Sequence, residues 1–281
     1  MAHTYSFPLG EFACTVISDG LSGADEARVA GVFPDMPEDE FQHAFRDVYG
    51  EGGMASRSMS MLLVESGEHK ALIDTGLGQG AAPNGGGLFE GLDEIGVGLD
   101  EIDIVVISHA HGDHIGGLTN PEGALNFPKA HCYMDKIEWE WMMGPEGVAR
   151  GDSDYAKSMH SKLAAIESSL TFVGDADEVF PGLTVHSSPG HTPGHLAFRL
   201  ASDGEDLLGL VDIIHFQLQF PDLRRSPRFD WDTSLSVPTR ERFIGQAADE
   251  GLLTLTYHLP FPGVGMWARE AHGVSWTPTT L

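Results

Sequence analysis

Between Ser108 and Ile115 the chain reads Ser-His-Ala-His-Gly-Asp-His-Ile, so His109, His111, Asp113 and His114 place four metal-capable side chains within six positions. Imidazole and carboxylate suit zinc or another divalent transition ion. A tight turn directly after the apolar run Ile104-Val105-Val106-Ile107 can aim His109 and His111 at one cation while Asp113 and His114 face a second site nearby. Two ligands do not hold a divalent ion, so other elements must deliver more. Three segments supply candidates. Pro189-Gly190-His191-Thr192-Pro193-Gly194-His195 fixes His191 in a Gly- and Pro-constrained turn, and two apolar runs end in Asp212 and in Tyr257-His258. Each alone reads as a cap or a hydrogen-bonded structural residue. Together, and in this order, they read as a metal centre. A cation among neutral imidazoles polarises a carbonyl or phosphoryl oxygen and activates water, so the chemistry expected is hydrolysis.

Short β-branched runs must carry these turns. Strands are predicted over Phe12–Ser18, Met61–Glu65, Lys70–Asp74, Ile104–Ser108, His131–Met134, Leu183–Ser187, His195–Leu200, Leu207–Asp212 and Leu252–Tyr257. Helical periodicity covers Asp154–Ser169 and Pro238–Glu250, the second read as opening on its proline and stopping at Gly251. Several strands end in Gly, Asp or His, where α/β proteins place their sites. Gly20–Arg57, Gly78–Gly87 and Gln217–Ser236 read as long surface loops. Their aromatics, such as Phe33, Phe41, Phe45, Phe216 and Trp231, either line a substrate pocket or staple the loops to the body. Asp74, closing Ala71-Leu72-Ile73, reads on its own as an Asx turn with Thr75-Gly76. His195 is turned away from His191 by Pro193-Gly194 and reads as structural. With no internal repeat and no Pro- or Ser-rich linker, one domain spanning residues 1–281 is expected.

Composition excludes several partners. Sixteen Lys and Arg against 42 Asp and Glu give a net charge of −26, and the basic residues are spread too thinly for a phosphate-binding surface. No nucleic-acid partner is expected. No apolar run approaches the roughly 20 residues that span a bilayer, and Met1 to Gly10 lacks the basic and apolar regions of a secretory leader. No membrane partner and a cytoplasmic location are therefore expected. The excess charge reads as a solvated surface. Cys14 and Cys132 read as two reduced core thiols.

The HxHxDH pattern at His109, His111, Asp113 and His114, with His191, Asp212 and His258 after it, resembles the metallo-β-lactamase fold hydrolases. The likeness runs from Phe12 to Gly20 through Leu72-Ile73-Asp74-Thr75-Gly76 to Tyr257-His258. It implies an α/β fold: a four-layer αβ/βα sandwich, two mixed β-sheets face to face with helices outside. It also implies a binuclear centre, with His109, His111 and His191 on one metal, Asp113, His114 and His258 on the other, and Asp212 bridging. Two Zn2+ ions are the expected occupants, with Mn2+, Fe2+ or Co2+ as alternatives. Against Asp113, Asp212 and a bridging hydroxide, two divalent cations leave such a centre weakly cationic. Asp74 resembles the family carboxylate that fixes the tautomer of a ligand histidine.

Val211 to Pro221, Leu9 to Gly20 and Tyr257 to Gly263 look like the branch containing methyl parathion hydrolase and the N-acyl-homoserine lactonases. Many of those lactonases carry a Tyr three residues after the bridging Asp. Here that residue is His215, whose imidazole can assist a leaving alkoxide. The resemblance thus implies hydrolysis of a small-molecule lactone or carboxylic ester, N-acyl-homoserine lactones among them, with Asp113, Asp212 and His215 catalytic. Organophosphate triester hydrolysis and glyoxalase II-like thioester hydrolysis are the alternatives; the stretch after His258 is too short and too poor in Lys and Arg for the second. A catalytically inactive binding protein is a further alternative, opposed by the complete set of seven ligands. The same likeness implies a homodimer.

Overall fold

The computed structural model describes residues 3–81, 85–145 and 153–279. Strands buried on both faces organise it. β1 (His3–Leu9), β2 (Phe12–Ala24), β3 (Ala55–Glu65), β4 (Lys70–Ile73), β5 (Ile104–Val106), β6 (His131–Asp135) and β7 (Leu170–Val173) form one seven-stranded sheet in sequence order. β8 (Glu178–Phe180), β9 (Leu183–Ser187), β10 (Leu196–Ser202), β11 (Glu205–Val211), β12 (Leu253–Thr256), β13 (Val264–Arg269) and β14 (Val274–Pro278) form the other. Both are mixed. β4 to β7 pair in parallel in the first, and β11 pairs in parallel with β12 in the second.

Alternation along β10 and β11 shows how the layers stack. Leu196, Phe198, Leu200, Leu207 and Val211 join the core shared with the first sheet, alongside Val16, Leu62, Leu72 and Val105. Their neighbours Ala197, Leu208 and Leu210 face the other way, onto Phe243, Ile244 and Ala247 of the helix Thr233–Glu250. Both faces are apolar, hence the near-continuous hydrophobic run. Gly209 is required here, because a β-carbon would fall 2.0 Å from the Phe198 ring. This is the implied α/β sandwich, two mixed sheets with helices. Cys14 and Cys132 are free and buried in the shared core.

The helices are α1 (Glu26–Ala30), α2 (Glu38–Tyr49), α3 (Gly87–Glu94), α4 (Gly112–Ile115), α5 (Lys136–Met143), α6 (Asp154–Ile166) and α7 (Thr233–Glu250). None is long and apolar enough to cross a membrane among the described residues. Two expectations are corrected. Gly20–Arg57 is not a loop: β2 continues to Ala24, α1 and α2 follow, and β3 begins at Ala55. In α2, Phe41, Ala44 and Phe45 recur at helical spacing on the buried face behind an acidic first turn. The second correction concerns α7, which starts five residues before Pro238 because Asp232 caps it by accepting a hydrogen bond from the Ser234 N–H (2.8 Å). The Gly78–Gly87 segment begins with a short turn over Gln79–Ala81, and its residues 82–84 lie outside those described.

Candidate metal centre

Every candidate ligand follows the C-terminal end of a strand or sits in the turn beyond it. β5 ends at Val106, and the chain then carries His109 and His111 into α4, which holds Asp113 and His114. The turn between β9 and β10 carries His191. β11 ends at Val211, whose φ of 49° swings the chain into Asp212, and β12 leads into Tyr257-His258. In the β9–β10 turn, Gly190 has φ 129° and passes so close to α7 that a β-carbon would meet the Ser236 nitrogen at 2.1 Å.

The outward ring nitrogens are committed to acceptors, which turns the inward lone pairs to a common point. Asp74, itself at φ 62°, accepts from the Ser108 N–H (2.9 Å), the Ser108 hydroxyl (2.7 Å) and His114 Nδ1 (2.7 Å). His109 Nδ1 lies 3.0 Å from the Ser108 hydroxyl oxygen, which its N–H reaches. His191 Nδ1 donates to Asp230 Oδ1 (3.1 Å), and His258 Nδ1 to the Ser58 carbonyl (3.1 Å). What remains is inside. His111 Nδ1 stands 3.0 Å from both His109 Nε2 and His191 Nε2. Asp212 Oδ2 lies 3.2 Å from His191 Nε2, 3.3 Å from His258 Nε2 and 3.1 Å from His215 Nε2, and Oδ1 lies 3.3 Å from His114 Nε2. Asp113 is 3.5 Å from His258 Nε2 and 3.8 Å from His114 Nε2.

These separations fit cations. Imidazole lone pairs 3.0 Å apart repel unless a proton or metal lies between them, and one proton on His111 cannot serve two neighbours at once. Bonds of 2.0–2.1 Å about a tetrahedral ion put ligand atoms about 3.3 Å apart. His114 Nε2 and Asp212 Oδ1 are buried with no hydrogen-bond partner, as two donor atoms aimed at an ion would be. Ligand atoms of His109, His111, His191 and Asp212 lie within 4.8 Å of one another, as do those of Asp113, His114 and His258, and those of Asp212, His215 and His258. All seven expected ligands and His215 are therefore brought together. His195 stands outside the cluster: Ser188 Oγ lies 2.7 Å from its Nδ1, and its Nε2 accepts from the Asp212 N–H (3.2 Å).

Protons compete with a cation here. Burial pushes His109 far below the usual imidazole range, with neighbouring imidazoles adding to it, and brings His111 down to about 3. For His191, burial is outweighed by hydrogen bonds with Asp212 and Asp230, which lift it to about 9. His114 is likewise raised well above its usual range, the charges of Asp212, Asp74 and Asp113 overcoming burial. Being raised, these two imidazoles stabilise the cation-free fold fully below about pH 6.5, and that contribution is lost as pH climbs through the raised values. A cation must displace their protons. Zn2+ affinity, measured by competition with a chelating dye, is expected to strengthen about tenfold per pH unit for each proton released between about pH 6 and 9. A flat profile would contradict this ligand set.

Of the buried groups that position the site, Glu138, Asp230 and Arg240 have no local sequence signature. Glu138 in α5 accepts from the Ala110 N–H (2.9 Å) and the Gly194 N–H (3.0 Å), joining the two turns that carry His109, His111 and His191. Asp230 orients His191, and Arg240 of α7 donates to Asp230 Oδ2 (2.9 Å) and to the carbonyls of Ile213 (2.7 Å) and Leu223 (2.8 Å). Tyr257 packs on the His114 ring, 4.1 Å between centroids, and its hydroxyl donates to the Asp113 carbonyl. Asp19 adds a further clamp, accepting from the N–H groups of Leu77, Gly86 and Leu88.

Two stacked mixed sheets with a His- and Asp-lined cluster at their strand ends define the class, an α/β metallohydrolase. The chain belongs to the metallo-beta-lactamase superfamily, which its residues 57–245 match. It resembles AidC, a dizinc quorum-quenching lactonase whose structure contains a bound product, with a TM-score of 0.90, 26% identity, and coverage of 100% of this chain and 98% of that one. The hydrolase AbOPH of the beta lactamase superfamily shares the fold, with a TM-score of 0.87 at 24% identity, covering 100% of this chain and 99% of AbOPH. An N-acyl homoserine lactonase of Bacillus thuringiensis is 27% identical over 198 residues, 62% of this chain and 71% of that protein. The anti-Pycsar protein Apyc1 of Saccharibacillus brassicae is 41% identical over 140 residues, 49% of this chain, and the match spans about half (54%) of that relative's length.

Proposed function

We propose that this protein is a binuclear metal-dependent hydrolase of lactones or carboxylic esters, with N-acyl-homoserine lactones among its substrates. The observation that carries the reading is the cluster of inward-facing imidazole nitrogens around Asp212, each at 3.1–3.7 Å from that carboxylate. His109, His111 and His191 would hold one ion, Asp113, His114 and His258 the other, and Asp212 both. Zn2+ is the first candidate, and Mn2+, Fe2+ or Co2+ suit the same donors. When bound, such ions supply Lewis acidity and water activated near neutral pH.

The chain's own residues set the geometry of the reaction. Asp74, Ser108, Asp230 and Ser58 lock four imidazoles in the tautomer that leaves Nε2 free to ligate. His215, pushed by burial down to about 3, is neutral and presents Nε2–H toward Asp212 Oδ2 at 3.1 Å. Its backbone N–H is pinned by Gln219 Oε1 (2.9 Å), and its ring packs on Phe229, 4.7 Å between centroids. A neutral imidazole so placed offers a hydrogen bond to a departing alkoxide rather than a whole proton. The chain's likeness to lactonases supports a small-molecule substrate, and we read the protein as a homodimer acting in the cytoplasm.

A panel comprising an N-acyl-homoserine lactone, an aryl ester, a thioester and a phosphotriester, run on metal-reconstituted protein, tests the assignment. The lactone or the ester is expected to exceed the other two in kcat/KM by about a hundredfold or more. Preference for phosphotriester or thioester, or no turnover of any of the four, would overturn it.

A further inference from the structure

Arg57 has no role in the site so far described, yet it stands at that site's edge. It precedes Ser58, whose carbonyl accepts from His258 Nδ1, and its guanidinium lies over the ring of Phe216, 4.6 Å from the centroid, directly beside His215. Its Nε is buried with no hydrogen-bond partner, and no ion pair to it occurs among the described residues. Arg240 shows how this fold otherwise buries a guanidinium, capped by Asp230 and by two carbonyls. Arg57 has only an aromatic face. The acidic groups whose charge reaches it are Asp113 and Asp212, the same carboxylates that would be taken up by metal. Tyr49 is also near, but burial pushes its hydroxyl to about 12, so it brings no negative charge, and Arg28 adds a like one.

We propose that Arg57 binds a carboxylate that a substrate carries beyond its scissile bond, so that among the lactones and esters the site accepts, those with such a carboxylate are preferred. A half-buried guanidinium without a counter-ion is unfavourable unless something arrives to pair with it. Its planar fork matches a carboxylate better than any other common substrate group except phosphate. The Phe216 ring holds the fork in place without consuming its donors.

The inference rests on the hydrolase reading above, and its test separates the two. Phenyl hexanoate and monophenyl adipate differ only in a terminal carboxylate. The wild-type protein is expected to favour the adipate monoester by about tenfold or more in kcat/KM. Arg57→Gln should lower kcat/KM for that substrate by about thirtyfold, mainly through KM, while changing phenyl hexanoate by less than about threefold. Arg57→Lys, which keeps the charge but not the fork, should fall between them. Equal losses on both esters, no loss on either, or a melting temperature markedly below wild type in Arg57→Gln would overturn the proposal, because an unpaired cation has no native ion pair to lose. Should neither ester be cleaved, the hydrolase reading fails for these substrates and binding decides the role of Arg57. Calorimetric titration of the metal-loaded protein should then find adipate about tenfold tighter than hexanoate, a difference abolished in Arg57→Gln. Equal affinities in the wild type would refute it.

Discussion

Asp212→Ala is expected to lower kcat/KM by at least about a thousandfold and to reduce the metal held per chain, while leaving the fold intact. The size of the effect follows from position. Among the described residues, Asp212 is the one carboxylate within 3.7 Å of His109, His114, His191 and His258 alike, so its removal takes a candidate ligand from both halves of the cluster. It also removes a negative charge that would offset bound cations at a buried site, where an unbalanced charge is most unfavourable. The backbone should survive, because the Asp212 N–H is held by His195 Nε2 and the residue follows a strand paired on both sides. Asp212→Asn, which keeps the shape and loses the charge, should be nearly as inactive. Circular dichroism and metal analysis beside the rate constant separate loss of the site from loss of the fold. Activity within tenfold of wild type in either variant would be incompatible with this centre.

The second large effect is on stability. Arg240→Ala is expected to destabilise the fold by about 3–5 kcal/mol, because one buried partner of an ion pair is removed and the other stays. Arg240 is buried in α7, and its guanidinium joins Asp230 to the carbonyls of Ile213 and Leu223. Without it, Asp230 retains only His191 and the Ser236 hydroxyl (2.8 Å), and two carbonyls lose their donor. For a chain of this size the loss corresponds to a fall in melting temperature of roughly 5–8 °C. His191 should also lose definition, since Asp230 orients it, so metal affinity falls together with stability. Replacing the pair by Asp230→Asn with Arg240→Met should restore much of the stability but not the metal affinity. If Arg240→Ala melts within about 2 °C of wild type, the network is not structural in the way described.

The ligand set was legible in the sequence because each member sits in a local pattern: an apolar strand ending in a polar residue, or a Gly- and Pro-bounded turn. His109 to His114 follow Ile104–Val106, and His258 follows Leu253–Thr256, so the residues that mark the strands also mark the site. The helix α2 was legible in principle, since Pro37, three acidic residues and the spacing of Phe41, Ala44 and Phe45 all mark it. Its aromatics read instead as part of a loop, lining a pocket or stapling that loop to the body, because burial of a helix face and burial of a loop ring look alike in composition.

Glu138, Asp230 and Arg240 were not legible. Glu138 lies in Lys-Ile-Glu-Trp-Glu-Trp, where nothing local distinguishes it from Glu140, yet its partners Ala110 and Gly194 are 28 and 56 residues away. Only the convergence of two turns on α5 makes it the one acid worth burying. Arg57 is a similar case: between Ser56 and Ser58 on a strand, nothing but the tertiary neighbourhood of Phe216 and His258 sets it apart.

Metal stoichiometry tests the central claim most directly. After chelation, reconstitution with Zn2+ and removal of free ion, elemental analysis is expected to find two equivalents per chain, and one or fewer in variants lacking Asp212. One equivalent or none in the wild-type protein, or two that persist after Asp212 is removed, would contradict a binuclear centre assembled on these side chains.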